Sequence, residues 1–390
     1  MIRLECDGSY EAHLQEYNEG ILRKYGVSSQ SAEREIISMA DKGNTVALKL
    51  YGDMVFYQKI LRRHYYRDAF ELYMRSAGIS VDEDRRWKSS GVAYPLAFWW
   101  IGYYLINYRR ESFLVKCEPI AVIDSMTVED RLIYALELAA ACLDYEKAPG
   151  AINLIGRIFR EISENEELFE KVKIQALDIL QSHDFIQKEI LTAPFDCSTA
   201  EGCGEIAEAF FLSAVKEGYV YACNNLAARE ADRIVELAQQ IRGKQENSEK
   251  QVSDESKDNI KEQIIKEQST KEQNIKEQME TSIRNYIEFL TISADKYEPY
   301  AANRLGLFYR TGEIIGTAGS TVCKDHIDSK LAKEYFLKAT VYPDANSAWA
   351  YLNLMKYYHK DYDTNIELMN EHMEYIKILN AEVYDIAMEL

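Results

Sequence analysis

The 390 residues carry 46 Lys and Arg against 64 Asp and Glu, a formal net charge of -18, with 47% hydrophobic residues, 28 Tyr and only 6 Pro. That acidic balance argues against nucleic acid or an anionic membrane as the main partner, since both select for Lys and Arg, and it favours a basic protein surface or simply solubility. Seven Cys, odd in number and without CxxC spacing, read as reduced thiols in a cytosol, mostly buried.

In chain order, residues 1–10 hold Arg3, Glu5 and Asp7 and no apolar core of an export signal. The most apolar window, residues 96–106, is too short to span a bilayer. A cytoplasmic protein is therefore expected, with residues 1–30 as a helical cap. From residue 31 a two-helix pattern begins and returns five or six times, over 31–242 and again over 282–390. Its first helix places a small or apolar residue, an apolar pair three and four positions on, and a small pair seven and eight positions on. Ala69, Leu72, Tyr73, Ser76 and Ala77 follow it, and so do Tyr286, Phe289, Leu290, Ser293 and Ala294. Its second helix sets an Ala, an apolar residue four on, and often a Gly after that, all on one helical face. The copies are Ala47, Tyr51, Gly52; Ala97, Ile101, Gly102; Ala151, Ile155, Gly156; Ala222, Leu226, Ala227; and Ala301, Leu305, Gly306. A helical pair at recurring spacing predicts a solenoid, in which no unit can bury its apolar face alone. Small residues at these positions let helix axes approach closely.

Two clusters along the way are candidates for a protein-binding surface. Arg62, Arg63 and Arg67 form a basic island, and Arg85 and Arg86 stand beside Trp87 in an insertion at 82–91; Arg and Trp dominate interface hot spots when exposed. The alternative is that these arginines neutralise nearby acidic helices. Trp100 and Tyr104 lie on a helix apolar nearly all round, which means either an aromatic groove wall or deep burial. A second insertion spans 113–128, and residues 161–204 fit the register poorly.

Residues 243–281 do not belong to the repeat. Aromatics vanish there, and residues 259–278 are four tandem pentapeptides ending KEQ. A five-residue period never lines up Ile260, Ile265 and Ile275 on one helical face, so a disordered insert or a solvated helix without a packed face is expected. Favourable i,i+4 pairs, such as Glu272 with Lys276, support the helix only weakly. Residues 282–390 then return to helical repeats and a capping helix.

Chemistry is hard to find. The six His include no i,i+3 or i,i+4 pair suited to a helical metal site. Asp361, Asp363 and Asn365 begin like a calcium loop, yet Ile366 stands where Gly is needed and His372 where Glu is needed. The Gly-rich stretch 312–321 lacks the Lys of a phosphate loop and reads as an inter-helix loop. Cys197 and Cys203 have no His nearby in sequence to activate them. No catalytic, cofactor-binding or metal-binding residue is expected, and the chain reads as not an enzyme.

The stretch Ala301, Leu305, Gly306, Tyr309, Gly312, with Ala332, Tyr335, Phe336 and Ala339, resembles the Sel-one-like repeat, a branch of the tetratricopeptide-like helical repeats. The resemblance covers most of residues 31–360. It implies an all-α fold, an α-α superhelix with irregular insertions, and an adaptor that binds a peptide or protein on its concave face without a cofactor. Two other readings stay open: an acidic immunity-type inhibitor that neutralises a basic partner, and, remotely, a hydrolase on a helical scaffold. The competing fold is an irregular helical array with true repeats only at its ends.

Overall fold

Many of the described helices begin at a polar side chain that takes up otherwise unpaired N–H groups. Asn44 accepts from Ala47 N at 2.9 Å, Asn165 from Leu168 N at 3.0 Å, and Glu298 from Ala301 N at 2.7 Å. Among the described residues, helices end on a left-handed residue at Gly43, Gly78, Gly218, Gly312 and Tyr297, and the closures at Gly43, Gly218 and Tyr297 are alike. Each of these three has the same six-to-one backbone bond: Asn44 N to Met39 O, Tyr219 N to Ala214 O, and Glu298 N to Ser293 O. Gly suits the first two because it carries no side chain to strain a positive φ.

The computed structural model describes residues 32–57, 59–81, 87–89, 93–108, 119–192, 199–251, 258–341, 346–357 and 365–389. The helical cap expected over 1–30 lies outside them. Among the described residues the fold is all-α apart from two short hairpins. Two compact units divide the chain, one within 14–222 and one within 223–390.

In the first unit the helices are α1 (Ala32–Asp41), α2 (Thr45–Phe56), α3 (Tyr65–Ser76), α4 (Phe98–Asn107), a short α5 (Ala121–Asp124), α6 (Val128–Tyr145), α7 (Pro149–Glu164), α8 (Glu166–Ser182) and α9 (Ala200–Lys216). Strands β1 (Ile79–Val81) and β2 (Trp87–Ser89) pair antiparallel between α3 and α4, with Val81 opposite Trp87. The second helix of each pair packs on the first helix of the next: α2 on α3, α4 on α6, α7 on α9. Glycine makes each contact possible. A β-carbon at Gly52 would stand 2.6 Å from the Tyr73 ring, one at Gly102 3.1 Å from the Ala135 carbonyl, and one at Gly156 2.6 Å from the Phe211 ring. The poor register of 161–204 has a plain cause: α8 is an extra helix packed against α6 and α7, which leaves α7 to meet α9. In the core, Lys49 Nζ lies 2.6 Å from Asp53 Oδ2, and the Tyr73 hydroxyl donates to Asp53 Oδ1 at 3.0 Å.

The second unit holds most of α10 (Val220–Gln251), then α11 (Asp258–Ala294), α12 (Pro299–Thr311), α13 (Ser329–Lys338), α14 (Ser347–Tyr357), α15 (Ile366–Leu379) and α16 (Ala381–Met388). Ala231 and Ile234 of α10 meet Ile283, Tyr286 and Leu290 of α11 and Ala302, Leu305 and Phe308 of α12 in one apolar cluster. Helix α12 packs on α13, where Gly306 lies directly against the Phe336 ring. The five alanines that open the second helices, Ala47, Ala97, Ala151, Ala222 and Ala301, are all 3% exposed or less. Their burial is what the spacing predicts.

Two expectations need correction here. The Gly-rich stretch after α12 is a hairpin, β3 (Glu313–Gly316) with β4 (Gly319–Val322), rather than a loop. Its tip is tied to α10, where Asp232 Oδ1 accepts from Thr317 N at 2.6 Å and from Thr317 Oγ1 at 2.8 Å, a tertiary contact that no local pattern announces. The KEQ segment is helical, as the start of α11, and its C-terminal end packs: Ile275 is 8% exposed, and Met279 lies against the apolar cluster. Replacing residues 246–270 by a short Gly-Ser linker should therefore leave the melting temperature within about 2 °C of the parent, because loop closure varies slowly with length. Extending the deletion through Met279 should lower it clearly, and a thermal melt separates the two cases.

Candidate functional site

Trp87 heads β2 and turns its ring between Phe70, with centroids 6.5 Å apart, and Tyr134, 4.9 Å away and tilted by 56°. Around it opens a groove of about 260 Å³, bounded by β2, α6 and α8 and floored by Met126, Ile133 and Val172. Thr127 caps α6 through Asp130 N at 3.1 Å, so Glu129 and Asp130 fall in the first turn, where the helix dipole favours negative charge. Glu129, Ile133, Tyr134 and Glu137 follow at helical spacing and share a face. Helix α8 supplies Gln175 and Lys171, whose ammonium bridges Glu129 at 2.9 Å and Glu167 at 2.7 Å.

The charges in this groove are unevenly matched. The hydrogen bond from Lys171 holds the Glu129 carboxyl below its ordinary range, and the same contacts hold the Lys171 ammonium above its own. Asp130 accepts the Thr127 hydroxyl at 2.8 Å. Glu137 makes no hydrogen bond or ion pair with any described residue, and partial burial raises its carboxyl. Burial, then the Glu137 charge, pushes the Tyr134 hydroxyl up to about 12. An aromatic corner, an apolar floor and a carboxylate unpaired among the described residues can recognise a positive group.

Of the residues singled out in the sequence, only Trp87 lies in this groove. Arg62 hydrogen-bonds the Tyr51 hydroxyl, lies 5.5 Å from that ring's centroid and approaches Asp68 at 3.7 Å. Arg67 reaches Asp68 at 4.0 Å and Glu71 at 3.8 Å. Both are engaged with the acidic side chains of α3, as the neutralising alternative held. Arg63 is exposed. Arg85 and Arg86 lie outside the described residues. Trp100 and Tyr104 correct the groove-wall reading. Trp100, 2% exposed, stacks on Tyr73 at 5.1 Å, and Tyr104, wholly buried, donates to Tyr66 O at 2.8 Å. A helix apolar nearly all round is buried over most of its surface, with Phe98 and Tyr103 half-buried. The sequence reading missed Glu129, Tyr134, Glu137 and Lys171. On an acidic helix such carboxylates pass for a solvated face, and the only local signal was the Thr127 to Asp130 cap at the start of α6.

Elsewhere the described residues hold no cluster of three His, Cys, Asp or Glu placed to bind a metal, and no helix long and apolar enough to cross a membrane. The calcium-like start at Asp361 and Asp363 lies outside them, as does Cys197; Asn365 instead caps α15 through Leu368 N at 3.0 Å. Cys142, Cys203, Cys223 and Cys323 are free and buried. Burial drives the Cys142 thiol far above its ordinary range and the Cys223 thiol up to about 11. Since the thiolate is the reactive form, these four should stay unmodified when the native protein is treated with iodoacetamide at neutral pH, and react once it is denatured. Mass spectrometry of the digested protein reads each site separately.

No family model matches the chain, and no curated protein matches it in sequence.

Proposed function

We propose that the chain is a non-enzymatic interaction scaffold of the Sel-one-like kind, working in the cytoplasm, whose helix pairs stack as an α-α superhelix within each unit and hold a protein or peptide partner. The observation that carries this reading is the repeated close approach of a second helix to the first helix of the next pair, at Gly52, Gly102, Gly156 and Gly306. Such serial stacking builds extended faces rather than an enclosed cavity, which suits binding more than catalysis. The acidic groove favours one variant of it, an inhibitor that neutralises a basic protein, because opposite potentials steer association.

Cross-linking followed by affinity purification from the native cell, with quantification of the recovered chains, tests the reading. Recovery of stoichiometric partners held together only when this chain is present supports the scaffold. A single basic protein that loses its activity on binding replaces it by the inhibitor, and the absence of any stoichiometric partner sinks both.

A further inference from the structure

We infer that the groove between β2, α6 and α8 is a pocket for an arginine side chain of a basic partner segment, seated against the Trp87 and Tyr134 rings with its guanidinium on Glu137. This rests on the reading of the chain as a peptide-binding array and names the chemistry that one part of it selects. A volume of about 260 Å³ falls below the range of ordinary small-molecule pockets and suits one long side chain. The floor of Ile133, Val172 and Met126 matches an aliphatic stem, which arginine buries while its head stays polar. The head then meets an aromatic corner, whose ring faces attract cations.

The charges select the same occupant. Lys171 is already shared between Glu129 and Glu167, so it does not neutralise Glu137 across the groove. Glu137 is left as a partly desolvated carboxylate that forms no ion pair with any described residue. A planar guanidinium can stack on Trp87 and present two N–H groups to Glu137 together, which an ammonium cannot. The chain's net charge of -18 adds long-range attraction for any basic segment, without selecting one groove over another.

The experiment is calorimetric titration of the full chain with an acetylated peptide of alternating glycine and arginine, with its citrulline counterpart as the uncharged isostere. Three variants are titrated alongside: Glu137→Gln, Trp87→Ala and Glu382→Gln. Glu382 is exposed on α16, in the other unit, and its substitution removes the same charge. The expected result is binding of the arginine peptide and not of the citrulline peptide. Glu137→Gln and Trp87→Ala should each weaken it about tenfold, and Glu382→Gln by less than about twofold. Glu137 is exposed at its edge, so its variant should keep the parent melting curve, and it carries the test even if Trp87→Ala disturbs the hairpin. Equal weakening by Glu137→Gln and Glu382→Gln would show only a diffuse field and overturn the inference. Tight binding unaffected by Glu137→Gln would place the peptide elsewhere, overturning the pocket while leaving the scaffold reading intact. Failure of the wild-type chain to bind the peptide also overturns the pocket, and the scaffold reading then stands or falls on its own purification experiment.

Discussion

Asp53→Ala should destabilise the first unit by about 3 to 5 kcal/mol in denaturant unfolding, the range for breaking a buried ion pair from one side. Asp53 is 3% exposed and Lys49 1%, and Asp53 is the acceptor for both the Lys49 ammonium and the Tyr73 hydroxyl. Its loss removes the counter-charge and an acceptor at once. The reason the pair is there is visible in the repeat. At Gly156 and Gly306 the facing ring is a Phe, whereas Gly52 faces Tyr73, whose hydroxyl needs a partner in the core. Replacing the set together, Lys49→Met with Asp53→Leu and Tyr73→Phe, should therefore recover most of the loss, since apolar residues of similar volume often equal or exceed a buried ion pair. If Asp53→Ala costs under about 1 kcal/mol, the pair is reached by water.

The pH dependence of the same group has a definite sign. Burial raises the Asp53 carboxyl above its ordinary value, and Lys49 and Tyr73 offset that only in part. A folded-state pKa above the unfolded one means that the folded protein holds this proton more tightly between the two values. The contribution of Asp53 is then fully present below the unfolded pKa and is lost as pH rises through the folded one. Asp53→Asn cannot titrate. The stability of the parent relative to Asp53→Asn should fall as pH rises across that acid window, and a constant difference would mean that Asp53 is not raised.

The helices were legible because the packing that sets them is written locally. Ala at one position, an apolar residue four on and Gly after it identify a helix face and its crossing point, and Ala47, Ala151 and Ala301 lie buried where that pattern puts them. What escaped the sequence depends on partners far along the chain. The hairpin at 313–322 is held by Asp232, and the groove forms only when Trp87, Glu137 and Lys171 arrive from three different elements. Trp87 stood out by residue type alone. Glu137 did not, because its significance is that no described residue pairs with it, which a linear pattern cannot display. Arg62 and Arg67 stand out by type in an acidic chain, yet their partners, Asp68 and Glu71 of α3, come into view only in the folded chain.

Gly306→Ala should cost about 1 to 2 kcal/mol, although helix propensity alone would make it stabilising by roughly 0.5 to 1 kcal/mol. The sign turns on Phe336. A β-carbon at Gly306 would land on that ring, which is wholly buried and packs with Ala332 and Leu354, while the Arg310 guanidinium lies 6.0 Å from its centroid. A ring confined in this way cannot swing aside as the end of an exposed side chain does, so the helices must part, and overpacking of this kind typically costs about 1 to 3 kcal/mol. Gly243 supplies the control within the same unit. It lies inside α10, and a β-carbon there meets nothing within 4 Å, so Gly243→Ala should show the propensity gain alone. Trimming the ring should restore the balance, and Gly306→Ala combined with Phe336→Leu is expected to lose less than the two single changes added together. If Gly306→Ala and Gly243→Ala stabilise the protein equally, α12 does not approach α13 closely at that point, and the repeated helix crossing on which the scaffold reading depends loses its best-matched instance.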